Sequence, residues 1–175
     1  MIITLTPNTG LDHTVQIVGF HLNRTIRATD SAWGMGGKAT DVSWILGRLG
    51  VPTRALGFAA GATGLRMETM LQERGVETDF VWVNGESRLN TILVVPGEGQ
   101  STITSSSLEV SSGHLAKMKV RYDKALADAS CVVMGGSLPK GVPGEFYTEA
   151  IEQAHPIDSG AQPLPGIPGH TCKRN

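Results

Sequence analysis

The sequence predicts an α/β fold, and three observations carry that prediction. Of the 175 residues 40% are apolar and only 5% aromatic, with 22 glycines, a composition that suits a chain punctuated by glycine turns better than a helical bundle or a disordered polymer. Short runs rich in β-branched residues alternate with segments whose apolar positions recur at helical spacing. The length supports one hydrophobic core, and therefore one domain or one domain with a small appendage.

Taken in order, "MIITLTP" is a buried first strand that stops at Pro7. "DHTVQIVGF" and "TIRATDSAWGMGG" alternate polar and apolar side chains and suit strands with one wet face, the makings of a small flap sheet. From Thr40 the period changes: Val42, Ile45, Leu46 and Leu49 fall at i, i+3, i+4 and i+7, a helix packing that stripe on a sheet, and Gly50 is its stop. "PTRALGFAA" is a strand, and "GATGLRMETMLQERGV" a second helix carrying Leu65, Met70 and Leu71, with Gly75 as its stop. "FVWVNG", "RLNTILVVPGEG" and "STITSSS" read as strands that extend the flap, with Gly97 and Gly99 marking a hairpin. "HLAKMKVRYDKALADAS" is a helix, "CVVMGGS" a short buried strand, and "GEFYTEAIEQA" a last helix after Pro143. This order favours a parallel sheet with crossover helices. From His155 to Asn175 four prolines and three glycines in 21 residues predict an irregular tail.

Charge and rare residues narrow the function classes. A formal net charge of −1, with no run of like charges, argues against nucleic acid as a partner. The N-terminus lacks a secretory pattern and the apolar runs are too short for a bilayer, so no membrane partner and a cytoplasmic location are expected. Two cysteines, Cys131 and Cys172, make no disulfide framework, and Cys131 reads as core packing. The five histidines form no ligand pair, so no metal held by protein side chains is expected.

"GMGGKATDV", Gly34 to Val42, places three glycines and a lysine ahead of the first helix. Glycines there let backbone amides approach an oxygen-rich ligand, the helix N-terminus adds a positive field, and Lys38 adds a mobile cation. The string is neither a Walker A loop nor a dinucleotide fingerprint, so on its own a tight turn with a solvated lysine explains it equally well. Alone, Asp12 reads as a turn cap and Arg27 and Arg88 as exposed strand charges.

Four stretches taken together, "TLTPNTGLDHTV", "GGKATDVSWILGRLG", "VNGESRLNTIL" and "GGSLPKGVPGEFY", occur in the order and at the spacings of the PfkB-type branch of the ribokinase-like carbohydrate kinases. From Met1 to Ala154 the chain resembles the N-terminal part of such an enzyme, most closely the hexose-phosphate members, through Pro7-Asn8 to Asp12 and "SRLN". The resemblance implies a ribokinase-like domain over 1–154, mostly parallel, with flap strands near 12–35 and 80–106, cut short on its C-terminal side. It implies a sugar phosphate such as fructose 1-phosphate or tagatose 6-phosphate as ligand, with Asp12 on the sugar hydroxyls. Arg88 clasps the phosphate in that reading, Lys38 serves as a point charge, and Asn90 shares the Arg88 face. Gly36, Gly37 and Asp41 complete the loop, and Arg27, Gly136 and Ser137 are further contacts. ATP and Mg²⁺ are the implied cofactors, and a homodimer through the flap strands the implied assembly.

The chain also departs from that pattern. The family's aspartate base ends a Gly-Ala-Gly-Asp stretch, which does not occur here; the nearest string is Gly61-Ala62-Thr63-Gly64. Ala39 and Asp41 stand where the family's loop has glycine and asparagine, and an ionised carboxylate at 41 neither donates hydrogen bonds nor tolerates a phosphate. A truncated or frame-shifted product with a tail foreign to the family over 155–175, binding sugar phosphate weakly rather than turning it over, is the expectation. The alternative is a non-catalytic remnant or association module.

Overall fold

The computed structural model describes residues 1–106 and 108–154; the tail expected over 155–175 lies outside them. Two four-stranded sheets share the chain. The main sheet is wholly parallel, in the order β5 (Glu77–Trp82), β4 (Thr53–Ala59), β1 (Ile2–Asn8), β8 (Cys131–Met134). The second sheet, the flap, runs β3 (Asp30–Gly36), β2 (Gly10–Gln16), β6 (Arg88–Val95), β7 (Gly99–Thr104). Its two outer pairs are antiparallel and β2 lies parallel to β6. Helices α1 (Lys38–Arg48), α2 (Gly61–Gln72), α3 (Ser112–Leu126) and α4 (Phe146–Ala154) cover the main sheet.

Alternation along the central strands separates two packing faces. Ile3, Leu5, Leu56 and Phe58 enter a core with Met118 and Tyr122 of α3 and Phe146 of α4. Each such side chain, when fully buried, contributes about 1.5–3 kcal/mol. The opposite face carries smaller residues: Thr4 and Thr6 on β1, Ala55, Gly57 and Ala59 on β4. Here Leu11 and Met35 of the flap join Met67 and Leu71 of α2 and Phe80 of β5 in a second core. The flap is thus anchored at its root by apolar side chains. Among the described residues no helix is long and apolar enough to cross a membrane.

The structure corrects several expectations. β1 passes through Pro7 and ends at Asn8, with an irregularity in its pairing between Thr6 and Asn8, which is where a residue without an N–H is tolerated. Helix α1 buries Ala39, Thr40 and Ser43, whereas Ile45 and Leu49 of its apolar stripe are 53% and 69% exposed. The small inward residues suit the small face of the sheet. Ser43 hydroxyl bonds to Thr4 at 2.7 Å and to Thr53 at 2.8 Å in a buried hydroxyl chain. Gly50 ends the helix as expected, at φ +71°, with Val51 N–H returning to the Leu46 carbonyl. In α2, Gly64 and Met67 are buried with Leu71, while Leu65 is exposed. Phe80–Trp82 closes β5 in the main sheet, so the second half of the flap begins only at Arg88. Cys131 is exposed, not core, because β8 is an edge strand.

Candidate functional site

The C-terminal end of β1 is separated from β2 by Thr9 alone, so the mouth of the main sheet and the root of the flap are one junction. Buried Thr9 fixes it by donating its hydroxyl to the Phe58 carbonyl. The register then sets Gly10 opposite Gly36 and Arg88, and Asp12 opposite Gly34 and Asn90. Residues two apart on a strand share a face, so these six positions form one patch. Asn90 Nδ2 donates to Asp12 Oδ1 at 2.6 Å, which orients the carboxylate and leaves its other oxygen to accept from ligand hydroxyls. A Cβ at Gly36 would stand 2.6 Å from that same Oδ1 and 3.2 Å from Asn90 Nδ2, so glycine here is a condition of the pair.

The chain next turns through Gly37, at φ +126°, a backbone state that favours glycine, and enters α1. Gly37 caps the helix with no side-chain hydrogen bond. Thr6 accepts the Thr40 N–H at 2.8 Å, tying the first turn of α1 to β1. The Thr40 hydroxyl is buried without a partner. Lys38 opens the helix, its stem beside Gly135 at the end of β8. Asp41 lies in the same first turn; burial, and secondarily the Asp12 carboxylate, push its carboxyl up to about 6.

The β8 side is drawn in by two hydrogen bonds. Asn8 Nδ2 donates to Ser137 Oγ at 2.9 Å, and the Tyr147 hydroxyl of α4 donates to the Gly136 carbonyl at 3.0 Å. Burial pushes the Tyr147 phenol up to about 12, so it remains a donor across neutral pH. Asp12, Gly36, Arg88 and Asn90 thus share the flap root, Gly37, Lys38 and Asp41 follow at the start of α1, and Gly136 and Ser137 follow β8, all near the C-terminal end of the parallel sheet, where open α/β folds bind ligands. Arg88 carries a buried Nε with no acceptor. Arg27 is apart: it sits exposed on the β2–β3 connection, a strand length of about 20 Å from Gly10 and Gly36.

Sequence reasoning named Asn8 only within the Pro7-Asn8 opening and gave no site role to it, Thr6, Thr40 or Tyr147. Asn8 is nearly fully buried at the end of β1, where its amide requires partners. The string Gly61-Ala62-Thr63-Gly64 opens α2, and there Glu86 accepts from the Ala62 N–H at 3.3 Å and from the Thr63 N–H. Hydrogen bonds from Thr63 hold the Glu86 carboxyl below its usual range. That helix start is thus filled by the chain's own carboxylate. Among the described residues no three His, Cys, Asp or Glu side chains gather as a metal site.

The family described as pfkB family carbohydrate kinase matches residues 9–165. A 1-phosphofructokinase of Borreliella burgdorferi is 31% identical over 169 residues, covering 94% of this chain and 54% of that protein. A 1-phosphofructokinase of Bacillus subtilis is 32% identical over 152 residues, covering 87% and 49%. A tagatose-6-phosphate kinase of Staphylococcus epidermidis is 28% identical over 170 residues, covering 94% and 54%. A crystal structure described as a possible 1-phosphofructokinase from Thermotoga maritima superposes with a TM-score of 0.83 at 30% identity, over 89% of this chain and 51% of that one. The architecture is ribokinase-like, and the chain spans about half the length of the curated relatives it matches.

Proposed function

Because the chain belongs to the pfkB family of carbohydrate kinases, we propose that it is the substrate-holding part of an ATP-dependent hexose-phosphate kinase, taking fructose 1-phosphate or tagatose 6-phosphate. The observation that carries this reading is the Asp12–Asn90 pair, held at 2.6 Å against Gly36, with Arg88 opposite Gly10 on the same sheet and Lys38 at the start of the helix that follows. An oriented carboxylate reads vicinal hydroxyls, and a guanidinium with an ammonium meets a phosphate, so the cleft suits one ligand bearing both groups. Gly136 and Ser137 close the cleft from the β8 side. Arg27, at the distal end of the flap, serves in this reading only toward a second copy.

ATP supplies the transferred phosphoryl group in this reading, and Mg²⁺ neutralises its charge. No residue of this chain is assigned to either. The Gly-Ala-Gly-Asp segment is absent from the sequence, and the one glycine-rich helix start resembling it is occupied by Glu86. Phosphoryl transfer rests on positioning and charge stabilisation, so the chain taken alone binds its sugar phosphate more than it turns it over. A homodimer through the flap, supported by β7 being exposed at every residue, and a cytoplasmic location belong to the same proposal.

The test combines binding with turnover. The chain is titrated with fructose 1-phosphate and with tagatose 6-phosphate, then incubated with ATP and Mg²⁺ while ADP is measured. Saturable binding that Asp12→Ala weakens at least about tenfold, with ADP formation far below about 1 per second, is expected. Turnover at ordinary kinase rates would refute the impairment, and absence of binding by either sugar phosphate would refute the substrate class.

A further inference from the structure

We propose that Glu86 is a positioning residue for phosphate capture: by latching the segment that leads into β6 onto the start of α2, it holds Arg88 in its berth beside Gly10. The part given to Arg88, as partner of a phosphate, rests on the function proposed above.

Four hydrogen bonds make the latch. Glu86 accepts the Ala62 N–H at 3.3 Å and the Thr63 N–H, one on each carboxylate oxygen. Ser87, 1% exposed, accepts the Ala60 N–H on its hydroxyl at 2.9 Å and donates its own N–H to the Ala60 carbonyl at 2.9 Å. Ala60 is the N-cap of α2 and has no side chain to offer, so the first turn takes its acceptor from a loop 24 residues further on. Gly61, at φ +61°, leaves room for it, since a Cβ there would collide with the Glu86 carboxylate.

Arg88 is the next residue, and its side chain has little of its own to hold it. Its Nε is buried without an acceptor, and no ion pair among the described residues includes it. Its place is set by the backbone on either side. Beyond it, β6 pairs with β2 and puts Arg88 opposite Gly10, where a Cβ would stand 2.8 Å from the Arg88 carbonyl oxygen and 3.4 Å from its Nε. Ahead of it, the chain turns through exposed Asn84 and Gly85, the latter at φ +102°. Without the latch, that turn is free to carry Ser87 and the first residue of β6 away from α2. A guanidinium clasps a phosphate through a rigid fork, so its affinity depends on an orientation set beforehand. The latch also commits the Glu86 carboxylate to N–H groups, which leaves the charge of Arg88, two residues on, for an anion.

The experiment compares the chain with Glu86→Ala, which removes both acceptor oxygens, and Glu86→Gln, which keeps one. Circular dichroism verifies that they are folded, and Glu86→Gln decides the matter if Glu86→Ala is not. The first readout is hydrogen exchange at the Arg88 Nε–H by NMR, its signal assigned by its loss in Arg88→Lys. Exchange at least about tenfold faster in Glu86→Ala, with Glu86→Gln between, is expected. The second readout is affinity, with inorganic phosphate and then fructose 1-phosphate as probes. Glu86→Ala is expected to bind each about fivefold more weakly than the parent, again with Glu86→Gln between. A loss of folding stability alone, with exchange and both affinities within about twofold of the parent, would make Glu86 only a helix cap and overturns the proposal. A change in one readout without the other overturns it too. Phosphate binding that Glu86→Ala weakens, with fructose 1-phosphate bound no better than phosphate, keeps the latch and removes the sugar reading. Tight fructose 1-phosphate binding that Glu86→Ala leaves unchanged keeps that reading and removes the latch. Binding of neither anion by the parent removes both.

Discussion

Gly36 shows how closely a single position can be specified. Its missing side chain is the space in which Asp12 and Asn90 meet, 2.6 and 3.2 Å from where a Cβ would be. Gly36→Ala is therefore expected to separate the pair. Calorimetry should show at least a tenfold loss of fructose 1-phosphate affinity, and denaturation a cost of about 1–3 kcal/mol from overpacking. Unchanged affinity would mean that Asp12 does not touch the ligand. The residues themselves were legible: a carboxylate, an amide, a lysine and an arginine near glycines are chemistry visible in one dimension. Their shared face was half legible, since Arg88 and Asn90 alternate on one strand. That Asp12 lies directly opposite Asn90, 78 residues away, depends on β2 running parallel to β6, and no local pattern encodes a register between distant strands.

At the level of elements, α1 is the instructive case. Its helical period was plain in Val42, Ile45, Leu46 and Leu49, yet the face it buries is Ala39, Thr40 and Ser43. The sheet beneath offers threonines, alanines and a glycine, so a close approach through small residues and shared hydroxyls takes precedence over apolar bulk. Ser43, bonded to Thr4 and Thr53 with all three nearly fully buried, is the centre of that contact. Ser43→Ala leaves two buried hydroxyls short of a partner and is expected to destabilise the chain by about 1–3 kcal/mol in urea unfolding. A neutral result would show that Thr4 and Thr53 find other partners. Because α1 also carries Lys38 and Asp41, the seating of this helix sets where both groups stand in the cleft.

For the whole molecule, β8 is an open edge of the main sheet among the described residues. Cys131 is exposed, Val132 to Met134 are only half-buried, and Ile45 and Leu49 of α1 are open to water. An apolar surface of this kind favours self-association. Replacing Ile45 by Glu and Leu49 by Lys is expected to reduce concentration-dependent association in sedimentation while changing folding stability by less than about 0.5 kcal/mol. Association that survives the double substitution would point instead to the flap. By itself the sequence determined the α/β class, the order of strands and helices, the helix stops at Gly50 and Gly75, and the residue types of the cleft, because periodicity and turn chemistry act between near neighbours. Only the tertiary structure decided which side of each helix is buried, that β5 belongs to the main sheet, that Asp12 meets Asn90, and that Arg27 lies far from both. Those outcomes depend on strand order, register and the shape of facing surfaces, which arise from contacts between segments far apart in the chain.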